Sequence, residues 1–384
     1  MRFVHIADTH LGLAAFHKID PETGMNLRER LIYDNFGEGI EVIIRQRPDA
    51  LVHAGDLFDR VRPKTRAYTT VLEALGRLGE EEIPFVVIAG NHSMPKTRYT
   101  SSPLEVLEYH QAEVHAAYRY RYELVEIGDT VFHLIPNMLR AEDYAEAYRQ
   151  ITPSSDRRNV LVTHGLVSTL HDYRLRTVAE HELSAGMLSS DFDYIALGHF
   201  HGQRQVADNA WYAGSLEYCS YGELPDVKGG LVVDTATGQV EHLELPHTPM
   251  MDLGTVGCEG LSAAEVSETI AGKIDRYPKG CDLAMCQLTL EGIARETVRA
   301  VDRRTLAEFK RRVLDLKVRV RMADEQTNVI EEKDLRTVDY LGEFETFVAQ
   351  KHLDPPVHAF VVGRGTNVLR RVVERHQEER DAAH

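Results

Sequence analysis

Five short segments of this chain place side chains of the metal-binding type directly after a run of apolar residues. They are Asp8-Thr9-His10, Gly55-Asp56, Gly90-Asn91-His92, Thr163-His164-Gly165 and Gly198-His199-Phe200-His201. The apolar runs are short, β-branched and almost continuously hydrophobic, which is typical of strands buried on both faces of a sheet. Ligands of open α/β sheets bind beyond the carboxyl ends of the strands, so all five segments lie where a ligand site is expected.

The donor atoms of these segments indicate which ions would suit them. Carboxylates, one Asn amide and several imidazoles, with no Cys among them, favour Mn²⁺, Fe or Zn²⁺ over Ca²⁺. The set is larger than one ion needs, and Asp56 can offer one oxygen to each of two ions. Two metal ions held about 3.5 to 4 Å apart activate a water and neutralise the charge that builds up during phosphoryl transfer. The pattern therefore predicts a two-metal phosphoesterase site, and Gly55, Gly90 and Gly198 would permit tight backbone paths beside it.

The ordered set resembles the signature of the calcineurin-like binuclear metallophosphoesterases, which runs Asp-x-His, Gly-Asp, Gly-Asn-His, His and Gly-His-x-His. A narrower likeness, to the SbcD or Mre-eleven type of DNA repair nuclease subunit, is found in residues 5–12, 53–59, 88–92 and 213–217, with a similar echo in 221–223 and 228–230. The resemblance implies an α/β fold, namely a four-layer αββα metallophosphoesterase sandwich with a small α/β capping domain and a C-terminal helical segment.

The same resemblance implies a role for each site residue. One divalent ion would be bound by Asp8, His10, Asp56 and His201, and the other by Asp56, Asn91, His164 and His199. Mn²⁺ is the expected metal. His92 would face the scissile phosphate and stabilise the transition state or protonate the leaving oxygen, which suits an imidazole near neutral pH. The nucleophile would be a metal-bound water or hydroxide, so no Ser or Cys is assigned to that role.

Two positions depart from the pattern of the relatives. Relatives usually have Asp or Glu directly after the Asn-His pair, where the carboxylate can orient the His, whereas this chain has Ser93. Some relatives have a second His at the position of Asp59, where it is expected to help hold the substrate phosphate. Asp59 is a carboxylate and cannot serve as a cation there. We interpret Asp59 as a carboxylate that steadies a ligand or an arginine.

Length and composition are those of an ordinary globular protein. A chain of 384 residues predicts two or three domains, and 43% hydrophobic and 27% charged residues can form a sizeable core. We expect no signal peptide or membrane span, because the N-terminus enters a core strand and no long apolar run exists. Cys219, Cys258, Cys281 and Cys286 lack the spacing of a zinc ribbon, which favours a reducing cytoplasm and core or surface roles for these thiols.

The net charge of −16 is unusual for a protein that binds DNA. A protein whose DNA affinity came from its overall field should be basic, so DNA binding would be weak, local or supplied by a partner. Metal ions can provide positive charge where the phosphate lies. Candidate DNA contacts are Lys96 with Arg98, near the active-site loop. The basic stretch 303–321 is a second candidate, equally typical of a solvated helix and strand face.

The chain divides into three predicted parts. Residues 1–247 form a metallophosphoesterase or nuclease domain, and Pro246 with Pro249 marks its boundary. Residues 248–328 have a strand, helix, strand, helix, strand pattern, in which Ser262 and Glu265 have the spacing of a capping box. By resemblance, this domain caps the site and helps select DNA ends.

Residues 329–384 contain two apolar stripes, which predict two short amphipathic helices joined by a Pro-Pro and Gly-rich connection. These helices either pack on the same chain or, as the resemblance implies, bind the coiled-coil base of an SbcC-type ABC ATPase. The sequence has no P-loop, so energy from ATP would come from another subunit. A homodimer formed through helices of the first domain is a further implication of the resemblance.

The prediction for function is a Mn²⁺-dependent DNA exonuclease or endonuclease subunit. It would hydrolyse phosphodiesters at DNA ends in double-strand break repair, together with the SbcC-type ATPase. One alternative is a calcineurin-like phosphodiesterase that acts on nucleotides or small phosphoesters. A third hypothesis, a non-cleaving scaffold that tethers DNA with the ATPase, is disfavoured because every expected ligand is present in the sequence.

Overall fold

The computed structural model describes most of the chain. The described residues are 1–97, 100–168, 170, 182–277, 283–301, 303–322, 344, 347–349, 351 and 354–381. They belong to two compact units, one within residues 1–323 and one within residues 324–384. Among the helices that the structure describes, none combines the length and apolar character that crossing a membrane requires.

The first large sheet contains six strands, three of which end at predicted ligand segments. Its strands are β1 (Arg2–Ile6), β2 (Ala50–His53), β3 (Phe85–Ile88), β4 (Val114–Ala117), β13 (Gly230–Asp234) and β14 (Gln239–Leu243). In space the order is β14-β13-β1-β2-β3-β4, with β1 to β4 parallel and β13 antiparallel to both of its neighbours. The parallel strands β2 and β3 are buried at every position, as their continuous apolar runs predict.

The second large sheet also has six strands and supplies the remaining ligand segments. Its strands are β5 (Glu123–Ile127), β6 (Thr130–Ile135), β7 (Arg158–His164), β10 (Tyr194–Gly198), β11 (Arg204–Ala207) and β12 (Ala210–Tyr212), in the spatial order β11-β12-β10-β7-β6-β5. Strands β6, β7, β10 and β12 are parallel, and β5 and β11 are antiparallel edge strands. Between β7 and β10, β8 (Leu166–Val167) pairs with β9 (Glu182–Leu183).

Helices cover the outer faces of the two sheets and complete four layers. Helices α1 (Leu27–Arg45) and α2 (Thr65–Glu80) belong to the first half of the chain, and α3 (Ala141–Arg149) follows β6. Alternate residues of β1 serve different cores. Val4 packs toward α1 and α2, whereas Phe3 packs toward Phe132 of the second sheet. The other face of the second sheet packs against Tyr144 of α3. The structure therefore confirms the predicted four-layer αββα sandwich.

A smaller α/β module follows the two sheets. Strands β15 (Met250–Gly257), β16 (Met285–Ile293) and β17 (Asp315–Met322) form a parallel sheet, with helices α4 (Ala263–Asp275), α5 (Arg295–Ala300) and α6 (Arg303–Arg312). Helix α4 starts with the predicted capping box, because Ser262 and Glu265 bond each other's backbone N–H groups. The strand and helix order agrees with the prediction, and α5 is an additional helix. The domain boundaries at 247/248 and 328/329 stay predictions.

Among the described residues of the part within 1–323, three short 3₁₀ helices complete the secondary structure. They are Pro103–Tyr109, Ala185–Met187 and Tyr221–Glu223. The first begins with Ser102, whose hydroxyl accepts a hydrogen bond from the N–H of Leu104. The third holds Glu223, a buried acid that contacts the candidate site described below.

In the C-terminal unit, the predicted Pro-Pro and Gly-rich connection is wrong. Helix α7 runs from Pro355 to Asp381 and includes Gly363 and Gly365. Proline fits the first turn of a helix, where an N–H has no intrahelical partner, so the Pro pair begins the helix. A Cβ at Gly365 would lie 2.2 Å from the ring of Phe344, so this glycine makes room for an aromatic side chain. Of the first predicted apolar stripe, Val338 and Leu341 lie outside the described residues, whereas Phe344, Phe347 and Val348 are described.

Candidate metal centre and active site

The structure brings all seven predicted ligand side chains together at the carboxyl ends of the buried strands. In one group, Nε2 of His10 lies 3.1 Å from Nε2 of His201. In the other, Nε2 of His164 lies 3.2 Å from a carboxylate oxygen of Asp56. The amide oxygen of Asn91 lies 3.0 Å from Nε2 of His164 and 3.1 Å from Nδ1 of His199. Residues separated by almost two hundred positions in sequence therefore share one site.

The donor atoms fall into two overlapping groups that fit a pair of cations. Ligand atoms of Asp8, His10 and Asp56 lie within 4.8 Å of one another, and so do those of Asp56, His164 and His199. Asp56 belongs to both groups, which is the position expected of a bridging carboxylate. Two imidazole nitrogens that face each other at 3.1 Å are more simply satisfied by a shared cation than by each other.

The backbone at these ligands is strained in a way that serves the site. Asp8, His10, Asp56 and His199 have φ angles of 51°, 45°, 54° and 96°. This left-handed region costs side-chain-bearing residues roughly 1–3 kcal/mol each, and such residues cluster at functional sites. Four of the seven predicted ligands therefore adopt a conformation that only the surrounding fold can impose.

Three glycines allow the ligand segments to approach one another, as predicted. A Cβ at Gly90 would lie 2.2 Å from Oδ1 of Asp56, and one at Gly198 would lie 2.0 Å from the carbonyl oxygen of Ala54. At Gly55, a Cβ would meet Nδ1 of His164 at 2.2 Å, and φ is also positive, at 101°. Any larger residue would push two ligand segments apart.

Hydrogen bonds from the far side of two rings fix which nitrogen faces the site. Nδ1 of His164 donates to the carbonyl of Ala54 at 2.8 Å, which leaves Nε2 for the site. Nδ1 of His201 donates to Oε1 of Glu223 at 3.1 Å, with the same result. Metal-binding His residues usually have such a partner, because it fixes both the tautomer and the orientation of the ring.

Asp56 and His164 form a buried ion pair. Burial raises the pKa of the Asp56 carboxyl, but the attraction of the His164 imidazolium outweighs burial and holds this pKa well below its usual value. Burial lowers the pKa of His164, yet the Asp56 carboxylate raises it to about 9. A cation bound at Asp56 would take the place of this proton, because metal ligation requires neutral imidazole.

His92 is held beside the ligands by two contacts. Its backbone N–H donates to Oδ1 of Asp56 at 2.8 Å, and its ring Nδ1 lies 2.7 Å from the main-chain oxygen of Asp59. Its Nε2 is therefore left for a substrate. The hydroxyl of Ser93 is buried and has no hydrogen-bond partner among the described residues, so the carbonyl of Asp59 orients the ring in place of the residue after the Asn-His pair. The catalytic role of His92 stays a prediction.

The carboxylate of Asp59 lies near a predicted metal ligand and near an arginine, the two kinds of partner that we expected it to steady. Its Oδ1 is 3.6 Å from Nδ1 of His10, and its Oδ2 is 3.4 Å from Nε of Arg60. Together with His10 and His92 it lines a cavity of about 230 Å³ that opens over the ligands. This cavity is the space available for a phosphoryl group.

Sequence reasoning missed three residues that contact the site, namely Cys219, Glu223 and Lys228. Cys219 lines the same cavity. Lys228 is buried and donates to Glu223 at 2.7 Å and to Ser215 at 2.7 Å. The only sign in the sequence was that Glu223 and Lys228 lie in segments with an echo of the SbcD type. A charge is buried only when it is paired, and that pairing is visible only in three dimensions.

The structure describes Lys96 and the basic stretch, but not Arg98, among the predicted DNA contacts. Lys96 is exposed in the segment that follows His92, and Arg98 lies outside the described residues. The basic stretch forms α6 and β17, where Lys310 is 3.0 Å from Asp315 and Arg321 is 2.9 Å from Glu291. Part of its positive charge is therefore balanced within the chain.

Comparison with known proteins agrees with the geometry of the site. The family model described as calcineurin-like phosphoesterase matches residues 1–203, a segment that includes every predicted ligand and His92. The DNA double-strand break repair protein Mre11 of Sulfurisphaera tokodaii is 31% identical over 204 residues, which are 53% of this chain and 49% of that protein. The Mre11 of Methanococcus maripaludis is 29% identical over 246 residues, or 59% and 60% of the two chains.

A third relative, the Mre11 of Methanopyrus kandleri, is 30% identical over 247 residues, which are 60% of this chain and 51% of that protein. The chain thus spans about half to three fifths of the length of these curated relatives. The matched family segment covers more than half of the chain and contains the whole candidate metal centre. The chain therefore belongs to the calcineurin-like phosphoesterase family.

Proposed function

We propose that this chain is a DNA nuclease subunit that hydrolyses phosphodiesters at DNA ends with two divalent ions, most suitably Mn²⁺. The observation that carries the proposal is the convergence of two donor groups on one shared carboxylate, Asp56. Its mixed oxygen and nitrogen donors suit ions of the Mn²⁺ class. The DNA substrate is supported by the similarity to proteins named for DNA double-strand break repair.

In this proposal each residue has a specific task. Asp8, His10, Asp56 and His201 hold one ion, and Asp56, Asn91, His164 and His199 hold the other. When bound, the ions supply an activated water and positive charge at the phosphate. His92 keeps its ring fixed through the Asp59 carbonyl and offers Nε2 to the phosphate or to the leaving oxygen.

The proposed partners are an SbcC-type ABC ATPase and a second copy of this chain. The C-terminal unit has several large apolar side chains at its surface, since Phe347 is 55% exposed and Phe360 is 64% exposed. Exposed apolar groups that recur in one segment are typical of a binding surface for another protein. We place the ATPase on this segment and the action of the complex in the cytoplasm, in break repair.

The test of the nuclease proposal compares site variants with matched surface variants. Asp56→Asn should abolish Mn²⁺-dependent cleavage of linear DNA in the presence of the ATPase. His92→Ala should reduce the rate about 10²- to 10⁴-fold, which leaves cleavage close to background. Asp34→Asn and His115→Ala are the controls, because both residues lie on the surface away from the cavity and should keep full activity. Cleavage that survives both site substitutions contradicts the assignment.

A second candidate, a phosphodiesterase for nucleotides or other small phosphoesters, is favoured by one observation. The net charge of −16 repels long polyanions, and a small substrate would enter the cavity of about 230 Å³ without contacting the rest of the surface. Turnover of a chromogenic phosphodiester, cyclic nucleotides and linear DNA should be compared at equal Mn²⁺. Preference for DNA ends supports the nuclease proposal, and preference for the small substrates supports this alternative.

A further inference from the structure

Cys219 lies next to two of the proposed metal ligands. Its Sγ and one ring nitrogen each of His10 and His201 all lie within 4.8 Å of one another. Its side chain is partly exposed and lines the cavity over the site, so a cation in solution can reach it. The other two described cysteines, Cys258 and Cys286, are buried in the core of the small α/β module.

A buried carboxylate fixes this group of three. Oε1 of Glu223 is 3.1 Å from Nδ1 of His201, which directs Nε2 of that ring toward His10. Oε2 accepts the backbone N–H of Cys219 at 3.1 Å and the ammonium group of Lys228 at 2.7 Å. One side chain therefore sets the position of both the imidazole and the cysteine, and Lys228 compensates its charge.

The donor atoms of this group differ from those proposed to hold the two catalytic metal ions. One soft thiolate sulfur with two borderline imidazole nitrogens favours Zn²⁺ and Cd²⁺, whereas carboxylates favour harder ions such as Mn²⁺. Binding would release the thiol proton to solvent, because the thiolate is the ligand. His10 and His201 cannot complete this site and also serve fully as ligands of the first ion of the pair.

We propose that His10, His201 and Cys219 form a nitrogen–sulfur site for a soft divalent cation of the zinc class. Its occupation displaces the catalytic metal ion that His10 and His201 would otherwise hold, and this inhibits the enzyme. The binding part stands on the geometry of the three side chains. The inhibitory part rests on the proposed phosphodiesterase function. Soft and hard ions would thus compete for the same two histidines.

The test uses Cd²⁺ as the probe on the metal-free full-length chain. Wild type should develop the ultraviolet thiolate-to-cadmium charge-transfer band, and Cys219→Ser should lose it. Cys258→Ser is the matched control, since Cys258 is buried elsewhere and its Sγ bonds the carbonyl of Val256, which a hydroxyl can also do. A band that persists in Cys219→Ser overturns the proposal.

A second variant and a second measurement guard against a folding artefact. Glu223→Gln should weaken Cd²⁺ binding by roughly 10- to 100-fold, because it removes the charged partner of His201. In wild type, Cd²⁺ should protect Cys219 from alkylation by iodoacetamide, as read by mass spectrometry of the peptides. Unchanged Cd²⁺ affinity in Glu223→Gln, or equal alkylation with and without Cd²⁺, contradicts the proposed site.

Electron paramagnetic resonance of bound Mn²⁺ on the same samples separates the two proposals. Two bound Mn²⁺ ions in wild type and in Cys219→Ser, with Zn²⁺ inhibiting phosphodiester cleavage more strongly in wild type, supports both. Failure to bind a Mn²⁺ pair contradicts the proposed function but leaves the cadmium result to decide the soft site. Equal inhibition of both proteins by Zn²⁺ contradicts the inhibitory role.

Discussion

Arg28 and Glu217 form a salt bridge that is almost completely removed from solvent. Nη1 of Arg28 donates to Glu217 at 2.8 Å, and the same carboxylate accepts from Asn35 at 2.5 Å and from the N–H of Thr248 at 3.1 Å. These bonds join α1 to the loop after β12 and to the segment that precedes β15. A buried carboxylate with this many donors is stable only while all of them remain in place.

Removing one partner of this network should therefore be costly. We expect Glu217→Ala to reduce the free energy of unfolding by about 3–5 kcal/mol, because Arg28 would be left as an unpaired buried charge. The control is Glu41→Ala, whose partner Arg77 is largely exposed and whose loss should cost at most about 1 kcal/mol. Urea unfolding measures both changes, and equal effects of the two variants would rule out the buried network as a source of stability.

Single residues also show where sequence reasoning reaches its limit at the site. The convergence of the seven predicted ligands was predictable, because each follows a strand end and has a donor side chain. The group that orients His92 was not, because it is the main-chain carbonyl of Asp59 and not the side chain of Ser93. Cys219 was classed as a plain core or surface residue, since nothing in sequence places it near His10.

At the scale of elements, strand ends and glycines position the chemistry. Strands β2 and β10 end where the carbonyl of Ala54 approaches Gly198, and the same carbonyl accepts from His164. The buried strands were predictable from their apolar β-branched runs, and α4 from its capping box. Helix α7 was not, because Pro and Gly normally interrupt a helix, whereas here Pro355 starts it and Gly365 accommodates Phe344.

Substitution of one strand-end glycine tests this arrangement. Gly198→Ala should destabilise the protein by roughly 1–3 kcal/mol or more and weaken Mn²⁺ binding, because its Cβ would lie 2.0 Å from the carbonyl oxygen of Ala54. Gly37→Ala in α1 is the control, since no atom lies within 4 Å of its new Cβ and the helix should gain about 0.5–1 kcal/mol. Thermal unfolding and Mn²⁺ titration report both effects. A Gly198→Ala protein with native stability and affinity contradicts the close approach.

At the scale of the whole molecule, the interface between the two large sheets encloses titratable groups as well as apolar ones. His5 on β1 is completely buried, with Nδ1 3.0 Å from the hydroxyl of Tyr194, and burial lowers its pKa from 6.5 to about 3. Between these two pH values, the unfolded chain binds a proton at His5 that the folded protein does not. The contribution of His5 to the free energy of unfolding is therefore most favourable above pH 6.5. It becomes progressively less favourable as the pH falls toward 3.

This linkage predicts acid-sensitive stability with a defined source. Between pH 6.5 and 3, His5 should contribute a slope of about 1.4 kcal/mol per pH unit to the free energy of unfolding. His5→Asn, which keeps an acceptor for Tyr194 but cannot titrate, should remove that slope. His115→Asn on the surface should leave it unchanged. Urea unfolding at a series of pH values measures the slope, and identical slopes for wild type and His5→Asn would exclude His5 as the source.

The buried strands and the ligand segments at their ends indicated an α/β sheet, and the four-layer sandwich was predicted from the resemblance of those segments to a known family. The distribution of charge was less informative, since a chain with a net charge of −16 still places Lys310 and Arg321 on one small module, where acidic neighbours balance them. Pairing of that kind depends on which strands and helices lie side by side. Composition alone does not contain this information.

The most direct test of the account is a crystal structure of the full chain soaked in Mn²⁺, with anomalous scattering to locate the ions. We predict two peaks about 3.5 to 4 Å apart, both bonded to Asp56, with His10 and His201 on one ion and His164 and His199 on the other. Absence of manganese, a single ion, or a pair in which Asp56 contacts only one of them would contradict the two-metal centre.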